Sequence, residues 1–165
     1  MLNMDIMYNI MPKIAILLHD IRSIHNVGSI FRTSDAFGVA KIYLSGYSPL
    51  PVDRFGRARA DLAKVALGAE QTVPWEHVDS PLDLIKKLKK EKYEIVALEQ
   101  AGGAVDYKDF KIKKNTLVIF GNEVGGVSKE ILDASDAIAE IPMKGKKESL
   151  NVSVAAGIFL AHLAG

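Results

Sequence analysis

Short apolar runs rich in β-branched residues recur along the chain at 13–18, 41–44, 95–98 and 117–120, each followed by a polar or glycine-bearing stretch. Runs of this length without polar alternation predict strands buried on both faces of a mostly parallel sheet. Weaker strand patterns lie at 71–73 and 137–141. Between the runs the spacing becomes helical. Over 27–38, Val27, Ile30, Phe31, Ser34 and Gly38 share one face, and a rotation of about 100° per residue puts Arg32 on the other. Helices are also predicted over 61–67, over 129–134, and over 81–90, where Ser80 can cap and Pro81 takes the first position. A last helix begins after Asn151, with Val152, Ala155, Ala156, Phe159, Leu160 and Leu163 along one stripe. The stretch 102–114 reads as a long charged loop or a short helix.

Strands alternating with helices define an α/β fold with helices on both faces of the sheet, and ligands in such folds bind beyond the carboxyl ends of the strands. The length of 165 residues suits one domain: a tail over 1–12 and a folded unit over 13–165. A hydrophobic fraction of 48% with 25% charged residues excludes a chain disordered along its length. The absence of cysteine excludes a disulfide framework and fits a reducing cytoplasm. The opening residues lack a basic start and carry Asp5, so an export leader is not expected. No apolar stretch reaches the roughly 20 residues that cross a bilayer, so no membrane association is expected.

Net charge is only +1, but its distribution is uneven. All five arginines, Arg22, Arg32, Arg54, Arg57 and Arg59, fall in one early segment, whereas lysines cluster near 86–92, 108–114 and 144–147. Arginine's planar fork is the better phosphate clamp, so the early segment carries the greater interest.

Three constellations could carry chemistry. In the first, residues 26–38, Asn26 can cap a helix, Gly28 permits close approach and Gly38 can end the helix, while Arg32 has no such structural use. The second is a strand ending in Phe120 and running into Gly121-Asn122-Glu123-Val124-Gly125-Gly126, either a tight turn capped by Ser128 or a loop presenting backbone groups to a ligand. In the third, residues 141–151 lead from a strand through Lys144, Lys146 and Lys147 to Ser149-Leu150-Asn151 at a helix start. Asn151 is there a cap, or it orients a ligand loop. The glycine loop lacks both the phosphate-loop ending and the GxGxxG spacing, and no Gly-x-Ser-x-Gly nucleophile motif occurs. His19, His25, His77 and His162, with no cysteine, give no metal-ligand spacing, so no metal is expected. What remains is a nucleotide-like small-molecule site beside a phosphate-facing arginine patch.

At these three places the sequence resembles the SpoU or TrmH family of the SPOUT superfamily, S-adenosylmethionine-dependent RNA 2′-O-ribose methyltransferases. The resemblance covers about 14–163. It rests on 26–38 with Arg32, on 117–128 with Asn122 and Glu123, and on 141–156 with Ser149-Leu150-Asn151, and a further likeness runs over 64–75. It implies a SPOUT-like sheet with a deep trefoil knot near the carboxyl terminus, S-adenosylmethionine as cofactor, a homodimer whose site both subunits complete, and an RNA substrate. Cofactor contacts are then expected at Leu98, Gly102, Phe120, Gly121, Asn122, Gly125, Ile141, Met143, Ser149 and Leu150; as an alternative, Ile141, Met143 and Leu150 are simply core.

The resemblance also implies that Arg32, Asn26, Glu123, Ser149 and Asn151 form the catalytic group, with Arg32 clamping phosphate and positioning the hydroxyl, because a guanidinium stays protonated at neutral pH. Arg32, Arg54, Arg57 and Arg59 are expected to contact the RNA backbone. No separate amino-terminal RNA-binding domain is expected, and substrate selection is expected to rest on the catalytic domain, its dimer surface or an accessory protein, with tRNA favoured over rRNA. The alternative is a SPOUT-like protein that binds RNA or cofactor without autonomous turnover.

Overall fold

The strands run in one direction, and their register brings three loops to one edge. The structure is a computed structural model and describes residues 11–165; the expected tail lies almost wholly outside that range. In chain order the elements are β1 (Ile14–His19), α1 (Ile24–Ala36), β2 (Lys41–Ser45), α2 (Ala60–Ala66), α3 (Ala69–Thr72), β3 (Trp75–Val78), α4 (Pro81–Lys90), β4 (Glu94–Leu98), β5 (Val105–Asp106), β6 (Thr116–Phe120), α5 (Lys129–Ala134), β7 (Ala137–Glu140) and α6 (Val152–Leu163). They build a parallel sheet in the order β3-β2-β1-β6-β4-β7-β5. Ala97 pairs with Ile119, and Leu98 with Ala139. The carboxyl ends of β4, β6 and β7 therefore lie together, and the segments that follow them converge.

Side chains alternate between two buried layers, as the pleat requires. Ile16, Leu18, Val96, Val118 and Phe120 pack with Val27, Ile30 and Phe31 of α1, Leu62 of α2, and Phe159 and Leu160 of α6. Ala15, Leu17, Ile95, Ala97, Leu117 and Ile119 pack on the other face with Leu84, Ile85 and Leu88 of α4 and Ile131 of α5. Both faces are covered, which is why the strands read as continuous apolar runs. Among the described residues no helix is long and apolar enough to cross a membrane.

The predicted helices over 81–90 and 129–134 match α4 and α5, and α6 starts after Asn151. Three expectations are corrected. Residues 71–73 are not a strand: Leu67 and Gly68 both take left-handed conformations (φ 53° and 94°), ending α2 and opening the short helix α3. Pro74 cannot continue that helix, and the strand forms beyond it at Trp75. Residues 102–114 are neither a plain loop nor a helix, because Val105 and Asp106 pair with Ala139 and Glu140 as the outer strand. α1 starts before Asn26: Ser23 is its cap, its side chain accepting from the Asn26 amide at 3.3 Å, so the Asn26 side chain is released from capping. Gly38 does follow the helix end in a left-handed conformation, φ 68°.

Gly28 sits where α1 meets α2. A Cβ there would lie 2.8 Å from the Val65 Cβ and 3.1 Å from the Leu62 carbonyl oxygen, neither the tip of a flexible chain. Gly28→Ala is expected to lower stability by about 1–3 kcal/mol, the usual cost of overpacking. Urea denaturation checks this, an unchanged midpoint being the contrary result.

Candidate active site

The segments after β4, β6 and β7 and the start of α6 enclose an open cleft at the carboxyl edge of the sheet. Its walls are Leu98, Glu99 and Gln100; Phe120 to Gly126; Ile141 and Met143; and Ser149, Leu150, Val152 and Ala155. Nine of the ten residues expected to touch a cofactor lie here. Gly102 does not: it is exposed and stands outside the wall. Val124 and Gly126 belong to the glycine loop expected to face a ligand, and Glu99 and Gln100, not named individually from the sequence, directly follow a strand's carboxyl end, where a ligand is expected.

The glycine loop is tied in place from several sides. Asn122 and Gly126 exchange backbone hydrogen bonds at 3.1 and 2.9 Å. The Asn122 side-chain oxygen accepts from the amides of Val124 and Gly125 at 2.9 and 2.7 Å, and its Nδ2 donates at 2.8 Å to both the Asp20 carbonyl and the Tyr47 hydroxyl. Glu99 Oε2 accepts from the Val127 amide at 2.8 Å, and Oε1 from the Gln100 amide at 2.9 Å. A Cβ on Gly121 would lie 2.5 Å from the backbone of Gly126, so only glycine lets the loop close on itself. Gly126 takes φ 67°, which favours glycine, and a Cβ there would displace the Glu99 carboxylate from its bond to the Val127 amide.

A second set of hydrogen bonds joins the three sequence motifs. Glu123 Oε2 accepts from the Arg22 amide at 2.9 Å, and Oε1 accepts from the Ser23 amide at 3.1 Å and from Asn26 Nδ2 at 2.9 Å. The Asn26 side-chain oxygen accepts from Asn151 Nδ2 at 3.1 Å. Asn151 Oδ1 accepts from the Ser153 amide at 2.9 Å and the Val154 amide at 3.4 Å, capping α6. Asn151 is thus both cap and link, which joins two alternatives the sequence left open. Ser128 precedes α5 without a side-chain cap bond. Ser149 is exposed on the cleft wall.

Burial pushes the Glu123 carboxyl up, but the hydrogen bonds from the Arg22 amide, Asn26 and the Ser23 amide outweigh it and hold the group below the ordinary glutamate range. The positive end of α1 acts in the same direction.

Arg32 is exposed, has no ion-pair partner among the described residues, and is not part of the cleft wall. Arg57 and Arg59 are partly committed within the chain, to Asp53 at 2.7 Å and to Asp61 at 2.9 Å. His162 is removed from the cleft, bonded to the Phe110 carbonyl at 3.0 Å. Among the described residues no group of three His, Asp or Glu side chains gathers as a metal site would.

The cleft fits a nucleoside-bearing cation. Leu98, Phe120, Ile141, Met143 and Leu150 offer apolar contact, and its two ionisable wall residues are the carboxylates Glu99 and Glu123. The parallel sheet with helices on both faces matches the SPOUT fold of solved relatives. The chain belongs to the SpoU rRNA Methylase family, whose profile matches residues 13–161.

Among its relatives, the tRNA (guanosine(18)-2′-O)-methyltransferase of Aquifex aeolicus is 33% identical over 89% of this chain and 66% of that protein. The 23S rRNA (guanosine-2′-O-)-methyltransferase RlmB of Neisseria meningitidis serogroup B is 31% identical over 96% of this chain and 61% of its own length. The crystal structure of an AdoMet-bound rRNA methyltransferase from Sinorhizobium meliloti superposes with a TM-score of 0.82 at 28% identity, covering 91% of this chain and 55% of that one. The chain therefore spans about 60% of the length of the curated relatives it matches.

A carboxyl held low in the folded state contributes stability that is present above its unfolded value and lost as the pH falls through the folded one. Replacing Glu123 by Gln removes that contribution. Thermal unfolding is expected to show a shallower loss of stability on acidification for Glu123→Gln than for wild type; parallel acid limbs would contradict the assignment.

Proposed function

We propose that this protein transfers a methyl group from S-adenosylmethionine to a ribose 2′-hydroxyl of structured RNA. The observation that carries the proposal is the Glu123–Asn26–Asn151 chain, which joins the loop forming the cofactor cleft to the helix bearing Arg32 and to the start of α6. The names of its relatives, one acting on tRNA and one on 23S rRNA, support the reaction class. We take tRNA as the first substrate to test.

S-adenosylmethionine, when bound, would supply a methyl carbon already activated on a sulfonium: the ribose oxygen would take the methyl as the carbon–sulfur bond breaks, with S-adenosylhomocysteine released and the hydroxyl proton passing to water. The chain's own task is alignment. Leu98, Phe120, Ile141, Met143 and Leu150 hold the adenine side by apolar contact, while backbone groups of Gly121 to Gly126 hold the polar remainder. Asn26, Glu123 and Asn151 keep the loops in register, and Ser149 faces the incoming hydroxyl. Arg32, protonated at neutral pH, clamps phosphate and positions the ribose. Arg54, Arg57 and Arg59 contribute backbone contacts, with Arg54 the least committed within the chain.

The position of Arg32 off its own chain's cleft supports a homodimer in which each subunit completes the other's site. Exposed apolar residues near the cleft, Leu150 at 37% and Val154 at 49%, favour the same assembly. The sheet order β6-β4-β7, with the segment 141–150 returning beside the loops after β4 and β6, supports the trefoil knot implied by the resemblance. Substrate selection by the catalytic domain, its dimer surface or an accessory protein, and a cytoplasmic location, complete the proposal.

The direct test is transfer of labelled methyl from S-adenosylmethionine to unmodified tRNA and rRNA pools, followed by nucleoside analysis. A 2′-O-methylated nucleoside is expected; base methylation, or cofactor binding with no transfer to either pool, would overturn the autonomous reaction. Arg32→Ala is expected to reduce transfer about 100-fold or more while changing cofactor affinity less than about threefold. Equal losses would contradict the role of Arg32. Mixing Arg32→Ala with Gly121→Ala subunits, each inactive alone, is expected to restore about a quarter of wild-type activity, since half the dimers would carry one intact site.

A further inference from the structure

The segment between β2 and α2 forms a small hairpin with an exposed aromatic tip. Val52 bridges Ala58 in antiparallel fashion, the Asp53 amide donates to the Arg57 carbonyl at 2.8 Å, and the Gly56 amide donates to the Asp53 carbonyl at 2.9 Å. One side chain pins the turn: the Asp53 carboxylate accepts from the amides of Phe55 and Arg57 at 2.8 and 3.0 Å and from Arg57 Nε at 2.8 Å. Phe55 is thereby presented on a fixed backbone. It is 66% exposed and belongs to neither buried layer.

The guanidinium carbons of Arg54 and Arg57 stand 4.7 and 5.1 Å from the Phe55 ring centroid. Both cations lie over the ring, and the ring surface they leave open, together with their own planes, is suited to a flat, anion-bearing partner. Nucleotides combine these properties, a base that stacks and a phosphate that pairs. Duplex RNA keeps its base faces inside the helix, whereas unpaired bases can be splayed onto aromatic and guanidinium planes. The hairpin also connects to the cleft. Its recess includes Tyr47, whose hydroxyl accepts from Asn122 Nδ2 of the glycine loop at 2.8 Å.

We propose that Phe55, flanked by Arg54 and Arg57, is a stacking platform for an unpaired nucleobase of the RNA substrate, so that the protein selects a target in a loop or single-stranded segment. This deepens the RNA methyltransferase reading and rests on it for the identity of the macromolecule. The cations contact phosphate while the ring supplies a base contact that tolerates sequence. Phe55 is a binding residue and takes no part in methyl transfer.

The test compares wild type with Phe55→Ala, Phe55→Leu and Phe55→Trp, using a short labelled single-stranded RNA and the same strand annealed to its complement. Fluorescence anisotropy is expected to show Phe55→Ala and Phe55→Leu binding the single strand about 5- to 100-fold more weakly, with Phe55→Trp within about twofold of wild type. Duplex binding, cofactor affinity and melting temperature are expected to stay unchanged. A leucine variant equal to wild type, or equal losses on single strand and duplex, would overturn the platform. Loss of dimer in sedimentation on Phe55→Ala would assign the ring to self-association and overturn it as well. Because the assay needs no turnover, failed methyl transfer with intact Phe55-dependent single-strand binding would remove the enzymatic reading and leave the platform standing.

Discussion

The Glu123 carboxylate at the start of α1 is the contact on which the site's geometry depends. It meets the amide of Ser23, the cap, which a helix N-terminus leaves without an intrahelical partner, the amide of Arg22 just before it, and the side chain of Asn26 one turn in. A negative charge at this end of a helix is favoured by the helix dipole as well as by the individual hydrogen bonds. The same interaction fixes where the glycine loop leaves β6. Without it, the loop that walls the cleft and the helix that carries Arg32 would have no shared polar contact from this residue.

From Glu123 the order passes through Asn26 to Asn151. Glu123 lies 97 residues from Asn26 in sequence, and Asn26 lies 125 from Asn151. These are bonds between parts of the chain that meet only once the whole sheet has formed. Each uses a different end of the Asn26 amide, which donates to Glu123 and accepts from Asn151, so substituting either partner leaves the other half of that amide to find a new one. The glycines at 121 and 126 serve a complementary purpose. Gly121 lets backbone approach backbone where a Cβ would block it, Gly126 leaves space for the Glu99 carboxylate, and Glu99, from the end of a neighbouring strand, closes the loop from behind.

Much of this was legible in the sequence because the sheet is buried on both faces. Four strands announced themselves as apolar runs, and α4, with Ser80 and Pro81 at its start, carried its own punctuation. The pair Val105–Asp106 did not, since two residues at a sheet edge carry no period, and α3 was misread because left-handed Leu67 and Gly68 leave little trace in composition. Nine of the expected cofactor residues line the cleft because they follow strand ends in chain order. Glu99 follows the end of β4 by the same rule. The reach of Asn26 across the sheet, once Ser23 had taken the cap, depends on tertiary approach and was visible only in the fold.

The account makes the two halves of this chain one cooperative unit. A double-mutant cycle on S-adenosylmethionine affinity, with Asn26→Ala and Asn151→Ala made singly and together and read by calorimetry, tests that most directly. Coupled contacts are expected to give an interaction energy of about 0.5–3 kcal/mol, with the double variant losing less than the sum of the single losses. Strictly additive losses would mean that the three motifs hold the cofactor independently, and would contradict the account.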